Sequence, residues 1–193
     1  MWKDFNDWLN LKVIYPLFSR IYWNFGIIDK DRDGKPELLR SRLPNGLFIK
    51  YLAEKYKLKS ILSLEDDYDE DMDKWCEHYG IHHITVLNHC SAKNIFQNKE
   101  DLKLYLSLVH NTELHPMLIR CRGGADRTGA AVAIWRMEEH GWRNWLAWIE
   151  MLTYFHFFWK YKDTTKLVLE YKTSVELKAE EDLIKRGGSP DSV

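Results

Sequence analysis

In the nine residues from Cys121 to Gly129 (Cys-Arg-Gly-Gly-Ala-Asp-Arg-Thr-Gly), a thiol and a guanidinium stand six positions apart around two glycines. Ahead of them, Pro116, Met117, Leu118 and Ile119 read as a short buried strand. Behind them, Thr128 to Gly141 carries helical spacing through Ala131, Ile134 and Trp135. The segment is therefore expected to turn from a strand into a helix N-terminus. Such a turn aims backbone N–H groups and the positive end of the helix dipole at one point, which suits an oxyanion and favours an ionised thiol. Cys121 is expected to react as the thiolate. Arg127 has the planar fork to hold two oxygens of that oxyanion at once, which a lysine could not do.

The rest of the chain supplies alternating elements. An apolar N-terminal segment around Leu11 to Phe18 reads as a helix packed on the domain, with an interfacial amphipathic anchor as the alternative. Asp29 to Lys35 reads as a solvated loop. Asp29, Asp31, Asp33 and Gly34 imitate the start of a calcium loop, but Arg40 occupies the twelfth position, where a bidentate Glu is required. Leu38 to Ser41 and Ser60 to Leu64 are expected strands, and Asn45 to Tyr56 is an expected helix with Leu47, Ile49, Leu52 and Tyr56 inward. The acidic run Glu65 to Asp71 is taken as a helix N-terminus, with Met72, Trp75, Cys76 and Tyr79 as the inner face of the helix. Ile81 to Leu87 is a further strand, Asn88 to Asn98 a loop, and Lys99 to Val109 a helix. The aromatic stretch Trp142 to Trp159 is expected to be core, and Thr164 to Leu177 a last helix. This order predicts an α/β fold, a central, mainly parallel sheet flanked by helices on both faces, in one domain over residues 1–184. Residues 185–193 are expected to form a disordered tail.

Composition narrows the partners. The chain has 193 residues and a formal net charge of −1, so no global field directs it to nucleic acid or to an anionic membrane. Lys12, Pro16 and Arg20 interrupt the N-terminal apolar run, which is too short to span a bilayer and lacks the pattern of a secretory signal. Three cysteines without paired spacing argue against a disulfide framework and for a reducing, cytoplasmic setting. Cys76 and Cys90 read as small buried hydrophobes. No cluster of His, Cys and carboxylates has metal-ligand spacing, so neither metal nor cofactor is expected.

Cys121, Arg127 and Thr128 match the signature of the cysteine-dependent protein tyrosine and dual-specificity phosphatases, and the Gly-Ala-Asp-Arg-Thr-Gly core resembles their bacterial dual-specificity-like branch. Trp8-Leu9-Asn10, Leu39-Arg40-Ser41 followed by Pro44, and the strand at Ser60 to Leu64 occur in the order that the family leads one to expect. The resemblance covers about Trp8 to Lys172. It implies a dual-specificity phosphatase-like three-layer fold and hydrolysis of phosphate monoesters on a phosphorylated protein or small molecule, through a cysteinyl-phosphate intermediate and without a metal. Cys121 would be the nucleophile. Arg127 would stabilise the charge on phosphorus, and Thr128 would donate its hydroxyl to the sulfur. Arg122, Gly123, Gly124, Ala125 and Gly129 would form the substrate-binding loop.

Two positions depart from the family pattern. Arg120 stands where the family usually has His. The stretch Asn88 to Asn94, where many members carry the general acid, contains no carboxylate. Asp126 is the first candidate for that role, because some bacterial relatives use the residue before the signature Arg. His89 is the second. Three other functional readings stay open: a module that captures phosphorylated ligands with little turnover, an inositol phosphate or phosphoinositide phosphatase, and a rhodanese-type sulfurtransferase. The last lacks support from the Arg-Thr-Gly ending.

Overall fold

The computed structural model describes residues 6–7, 9–65, 70–86, 95–96 and 98–186. Among these residues five strands form one sheet in the order β1-β2-β5-β3-β4. They are β1 (Gly26–Lys30), β2 (Pro36–Arg42), β3 (Ser60–Ser63), β4 (His82–Thr85) and β5 (Met117–Cys121). β1 runs antiparallel to β2, and β2, β5, β3 and β4 are mutually parallel. β5 is the centre: Met117 to Cys121 pair with Leu38 to Arg42 on one side, and Met117 to Arg120 with Ser60 to Ser63 on the other. All five residues of β5 are buried, as expected for a strand covered on both faces.

The period-two alternation of these strands divides the core. Leu38, Leu62, Met117, Ile119 and Cys121 point to one face, and Leu39, Ile61 and Leu118 to the other. The first face is covered by α4 (Lys99–Val109), α5 (Asp126–His140), α6 (Asn144–Thr153) and α7 (Lys162–Leu169). The second is covered by α1 (Tyr15–Trp23), α2 (Gly46–Tyr56) and α3 (Glu70–Tyr79). The expected three layers are present. The central helix α5 buries residues on every side, from Thr128 through Trp135, and its alanines let sheet and helices approach closely. Each fully buried Leu or Ile of these layers contributes on the order of 1.5–3 kcal/mol. The helix ends at Gly141, which takes φ 61°.

Several local expectations are corrected. The expected loop at Asp29 to Lys35 begins as strand: Gly26–Lys30 pairs with β2 across a tight turn, in which Asp31 Oδ1 accepts the N–H groups of Asp33 (2.9 Å) and Lys35 (2.8 Å). In α2 the buried positions are Phe48, Ile49, Tyr51 and Leu52, whereas Leu47 and Tyr56 are half-buried. In α3, Met72 and Cys76 are buried but Trp75 is exposed.

The single last helix is two, α7 and α8 (Ser174–Lys185). Asn144 Nδ2 donates to the carbonyls of Val168 and Tyr171, and Thr173 then opens a new helix by exchanging hydrogen bonds with Glu176. Lys185 belongs to that helix rather than to a tail, and residues 187–193 lie outside the described residues.

The aromatic stretch is corrected most. Helix α6 stops at Thr153, and beyond it residues alternate: Tyr154 and His156 are buried, while Phe155, Phe157, Phe158 and Trp159 are exposed. Helical spacing no longer applies once the chain leaves the helix.

Candidate active site

Cys121 ends the central strand, level with Arg42 of β2, and α5 starts five residues later. Its side of the sheet makes it part of the buried core, 3% exposed, and only the loop side is open. Residue 124 must bring its backbone against β2. Gly124 takes φ 63°, and a Cβ there would lie 2.4 Å from the Arg42 nitrogen and 2.6 Å from the Ser41 oxygen. The Gly124 carbonyl is clamped from two sides, by Arg40 Nη2 at 2.8 Å and Asn24 Nδ2 at 3.0 Å. Asn24 also donates to the Tyr154 carbonyl at 2.9 Å. The Tyr154 ring lies between two guanidiniums, with the Arg20 and Arg40 carbons 3.4 and 3.5 Å from its centroid. Burial lowers the Arg40 guanidinium to about 10, which still leaves it charged at neutral pH.

Arg127 leans toward the sheet. Its Nη2 donates to Glu65 Oε2 at 2.7 Å, and the other oxygen of Glu65 accepts from Arg120 Nη1. Glu65 and Arg120 are buried. The cation that replaces the family's His is thus turned away from the thiol and shares a carboxylate with the signature Arg.

Asp126 occupies the first turn of α5. Its Oδ1 is 2.6 Å from Nδ1 of His156 and accepts from the Phe157 N–H at 3.3 Å. The His156 side chain is fully buried, and its Nε2 lies 2.9 Å from Thr165 Oγ1. The cap position of α5 is Ala125, which offers no side-chain acceptor to the first N–H groups. The Thr128 hydroxyl is buried with no hydrogen-bond partner among the described residues, so the expected bond to the sulfur is not formed in this structure.

These groups surround a cavity of about 830 Å³. One wall is the loop itself: Cys121, Arg122, Gly123, Ala125, Asp126 and Arg127. The others come from α1 (Ile21, Tyr22), from Arg42, and from Phe155, Phe157, Lys160 and Tyr161. Among the described lining residues Arg42, Arg122, Arg127 and Lys160 stand with a single carboxylate, Asp126, so the cavity favours anions even though Arg127 also holds Glu65. Tyr22 and Arg42 also border a second cavity of about 940 Å³ over α1 and α3, where the described lining residues include no thiol and no cation other than Arg42. The chemistry therefore sits at the smaller cavity.

Of the residues singled out from the sequence, Cys121, Arg122, Gly123, Ala125, Asp126 and Arg127 meet in one cavity, with Gly124 and Thr128 just beneath it. Gly129 lies in the helix, packed against Met151. His89 and Cys90 lie outside the described residues. Sequence reasoning missed Asn24, Arg40 as a brace, Glu65 and His156. Only Arg40 had carried a signal, as part of the Leu39-Arg40-Ser41 segment.

A thiol at the carboxyl end of a central parallel strand, below a loop that opens an uncapped helix and carries Arg six positions later, defines a cysteine-dependent phosphatase. The chain belongs to the tyrosine phosphatase family, whose model matches residues 24–188.

Solved structures agree on the fold. The core catalytic domain of the PP-IP phosphatase SIW14 from S. cerevisiae aligns with a TM-score of 0.62 at 23% identity, over 79% of this chain and 90% of its own. TpbA from P. aeruginosa aligns with a TM-score of 0.58 at 24% identity, over 70% of this chain and 80% of its own. PTPMT1 aligns with a TM-score of 0.54 at 12% identity, over 84% and 98%. No curated protein matches the sequence. Among the described residues no helix is long and apolar enough to cross a membrane, and no group of three or more His, Cys, Asp or Glu is placed to hold a metal ion.

Proposed function

We propose that the chain hydrolyses phosphate monoesters at Cys121, acting in a reducing compartment such as the cytoplasm on a phosphorylated protein or small molecule of the tyrosine or dual-specificity type. The observation that carries this reading is the placement of the Cys121 thiol at the foot of a cationic cavity whose wall is the first turn of α5, a helix start with no side-chain cap. The substrate's phosphoryl oxygens would take the place of that cap, held by the loop N–H groups and the helix dipole.

Sγ attacks phosphorus in line, the S–P bond forms and the P–O bond to the leaving group breaks. Asp126, hydrogen-bonded to the buried imidazole of His156, gives a proton to the departing oxygen. Water then attacks phosphorus, Asp126 takes back a proton, and the S–P bond breaks to release phosphate and the thiolate. Arg127, steadied by Glu65, stabilises the charge on the equatorial oxygens. The buried Thr128 hydroxyl, which bonds to no other described residue, donates to the sulfur as it leaves.

The test is turnover of a chromogenic aryl phosphate by wild type and Cys121→Ser. The variant should lose turnover and retain vanadate binding. Normal turnover by Cys121→Ser would reject the nucleophile, and vanadate binding without turnover by the wild type would favour a capture module.

One observation favours a more specific substrate, a small molecule with several phosphates. Arg42 and Lys160 border the cavity beyond Arg127, more cations than one phosphate occupies. The yeast neighbour is described as a PP-IP phosphatase. Comparing kcat/KM for a phosphotyrosine peptide and for inositol polyphosphates decides between the two.

A further inference from the structure

Around the mouth of the catalytic cavity the surface is apolar and aromatic rather than polar. On α1, Leu17 is 69% and Ile21 70% exposed, one turn apart on the same face, with Phe18 and Tyr22 beside them. Across the mouth, Phe155 is 59% and Trp159 61% exposed, with Phe157 and Phe158 between them. The two patches are continuous. Ile21, Tyr22, Phe155 and Phe157 line the same cavity. Phe157 and Phe158 each pack edge-on against Trp159, with ring centroids 5.4 and 5.0 Å away. Arg20 fastens α1 to the end of α6 through the Thr153 carbonyl at 2.8 Å.

The charges of these segments all have one sign. Between Asp7 and Asp29, and again between Glu150 and Asp163, the chain has no carboxylate, while Lys12, Arg20, Lys160 and Lys162 all fall there and are exposed. The cavity adds Arg42, and Asp126, the one carboxylate among its described lining residues, is already engaged by His156 and the Phe157 N–H.

We infer that this rim is a docking surface for an anionic phospholipid bilayer, which holds the catalytic cavity against the headgroup layer. Aromatic rings and Leu or Ile side chains enter the boundary between headgroups and acyl chains, where Trp and Tyr are at home, and the interleaved Lys and Arg meet lipid phosphates. Charge decides against a second copy of the chain as the occupant. Apposing two such faces would bring cations from both sides together with no carboxylate in either segment to pair them, whereas an anionic bilayer neutralises them. The face stands whatever ester the cavity takes.

The experiment is co-sedimentation of the full chain with vesicles of phosphatidylcholine alone or mixed with phosphatidylserine. Binding is expected on the mixed vesicles, weakening as salt is raised. Leu17→Glu and Trp159→Glu lie outside the cavity wall, so each should cut partitioning by about tenfold or more while turnover of a soluble aryl phosphate stays at the wild-type rate. Trp159→Phe should bind like wild type yet lose part of the tryptophan quenching by lipids brominated in their acyl chains, which checks the contact without adding a charge. The inference falls if mixed vesicles bring down no protein at low salt, or if both Glu variants bind like wild type. It also falls if sedimentation velocity shows a dimer that Leu17→Glu dissociates while vesicles are ignored.

Discussion

Gly124→Ala tests whether the phosphate loop is held by close backbone contact with β2. The added Cβ would sit 2.4 Å from the Arg42 nitrogen and 2.5 Å from the Ser41 carbonyl carbon, so the two segments must part by about 1.0 Å to reach an ordinary 3.4 Å contact. Neither partner is the loose end of a side chain. The loop cannot retreat without stretching the bonds from Arg40 and Asn24 to its carbonyl. An L-residue at φ 63° adds about 1–2 kcal/mol, and overpacking a further 1–3 kcal/mol or so. The sum, roughly 2–5 kcal/mol, corresponds to a fall in Tm of about 4–20 °C for a chain of this size. A displacement of about 1 Å next to the nucleophile should also reduce kcat/KM on the order of a hundredfold. Thermal unfolding by circular dichroism and steady-state hydrolysis of an aryl phosphate measure the two effects. Gly123→Ala is the control, because a Cβ there meets nothing within 4 Å and its φ is not positive. Its stability should stay within about 0.5 kcal/mol of wild type. Wild-type stability and turnover in Gly124→Ala, or equal damage in both variants, would refute the close-contact reasoning.

Glu65→Gln removes the carboxylate that Arg120 and Arg127 share, so urea unfolding should register a loss of about 3–5 kcal/mol, with kcat/KM reduced at temperatures where the variant is folded. Asp29 links β1 to α5 through Trp135 Nε1 and His140 Nε2. Partial burial alone would raise its carboxyl, but hydrogen bonds from Lys30, Trp135 and His140 outweigh it and hold the group below 3.8. The Asp29 contribution is therefore fully present above that value and disappears as the pH falls through the lowered one, so the stability gap between wild type and Asp29→Asn should be wide at neutral pH and close in acid. A gap that widens in acid would contradict the assignment. Asp126→Asn should slow alkyl phosphates by about a hundred to ten thousand fold while aryl phosphates with good leaving groups change little. Equal losses on both would reduce Asp126 to a brace.

The fold was legible where a strand or helix carries its own period. The buried run at Met117 to Ile119 and the helical spacing after Thr128 are local facts, and the structure has the strand and the helix there, the helix being buried on every side rather than on one face. Strand β1 was hidden because it is a short edge pairing with an irregular register, in which only Ile28 is buried and whose last two residues, Asp29 and Lys30, run straight into the polar turn. The break between α7 and α8 did have a signal, Thr173 with Glu176 three residues later, but the apolar spacing through Leu167, Val168 and Leu177 masked it.

The site divides in the same way, into what one loop supplies and what the fold brings to it. Cys121, Asp126 and Arg127 lie within seven residues, so their meeting at one cavity is a consequence of the strand-to-helix turn alone. Their supports lie far off in sequence: Glu65 is 55 residues before Arg120, and Asn24 is 100 before Gly124. His156 reaches Asp126 from 30 residues beyond. No single-sequence pattern encodes such pairings, because each depends on how neighbouring strands and helices stack. In the aromatic stretch, helical spacing ends with α6, and the next residues alternate: Tyr154 turns in to take the Arg20 and Arg40 guanidiniums and His156 turns in to Asp126. Phe155 and Phe157 are thereby pushed outward to the cavity mouth. The same alternation that braces the loop thus produces the apolar rim, so a substitution that frees the segment, such as Tyr154→Ala, should lower aryl phosphate turnover and vesicle binding together.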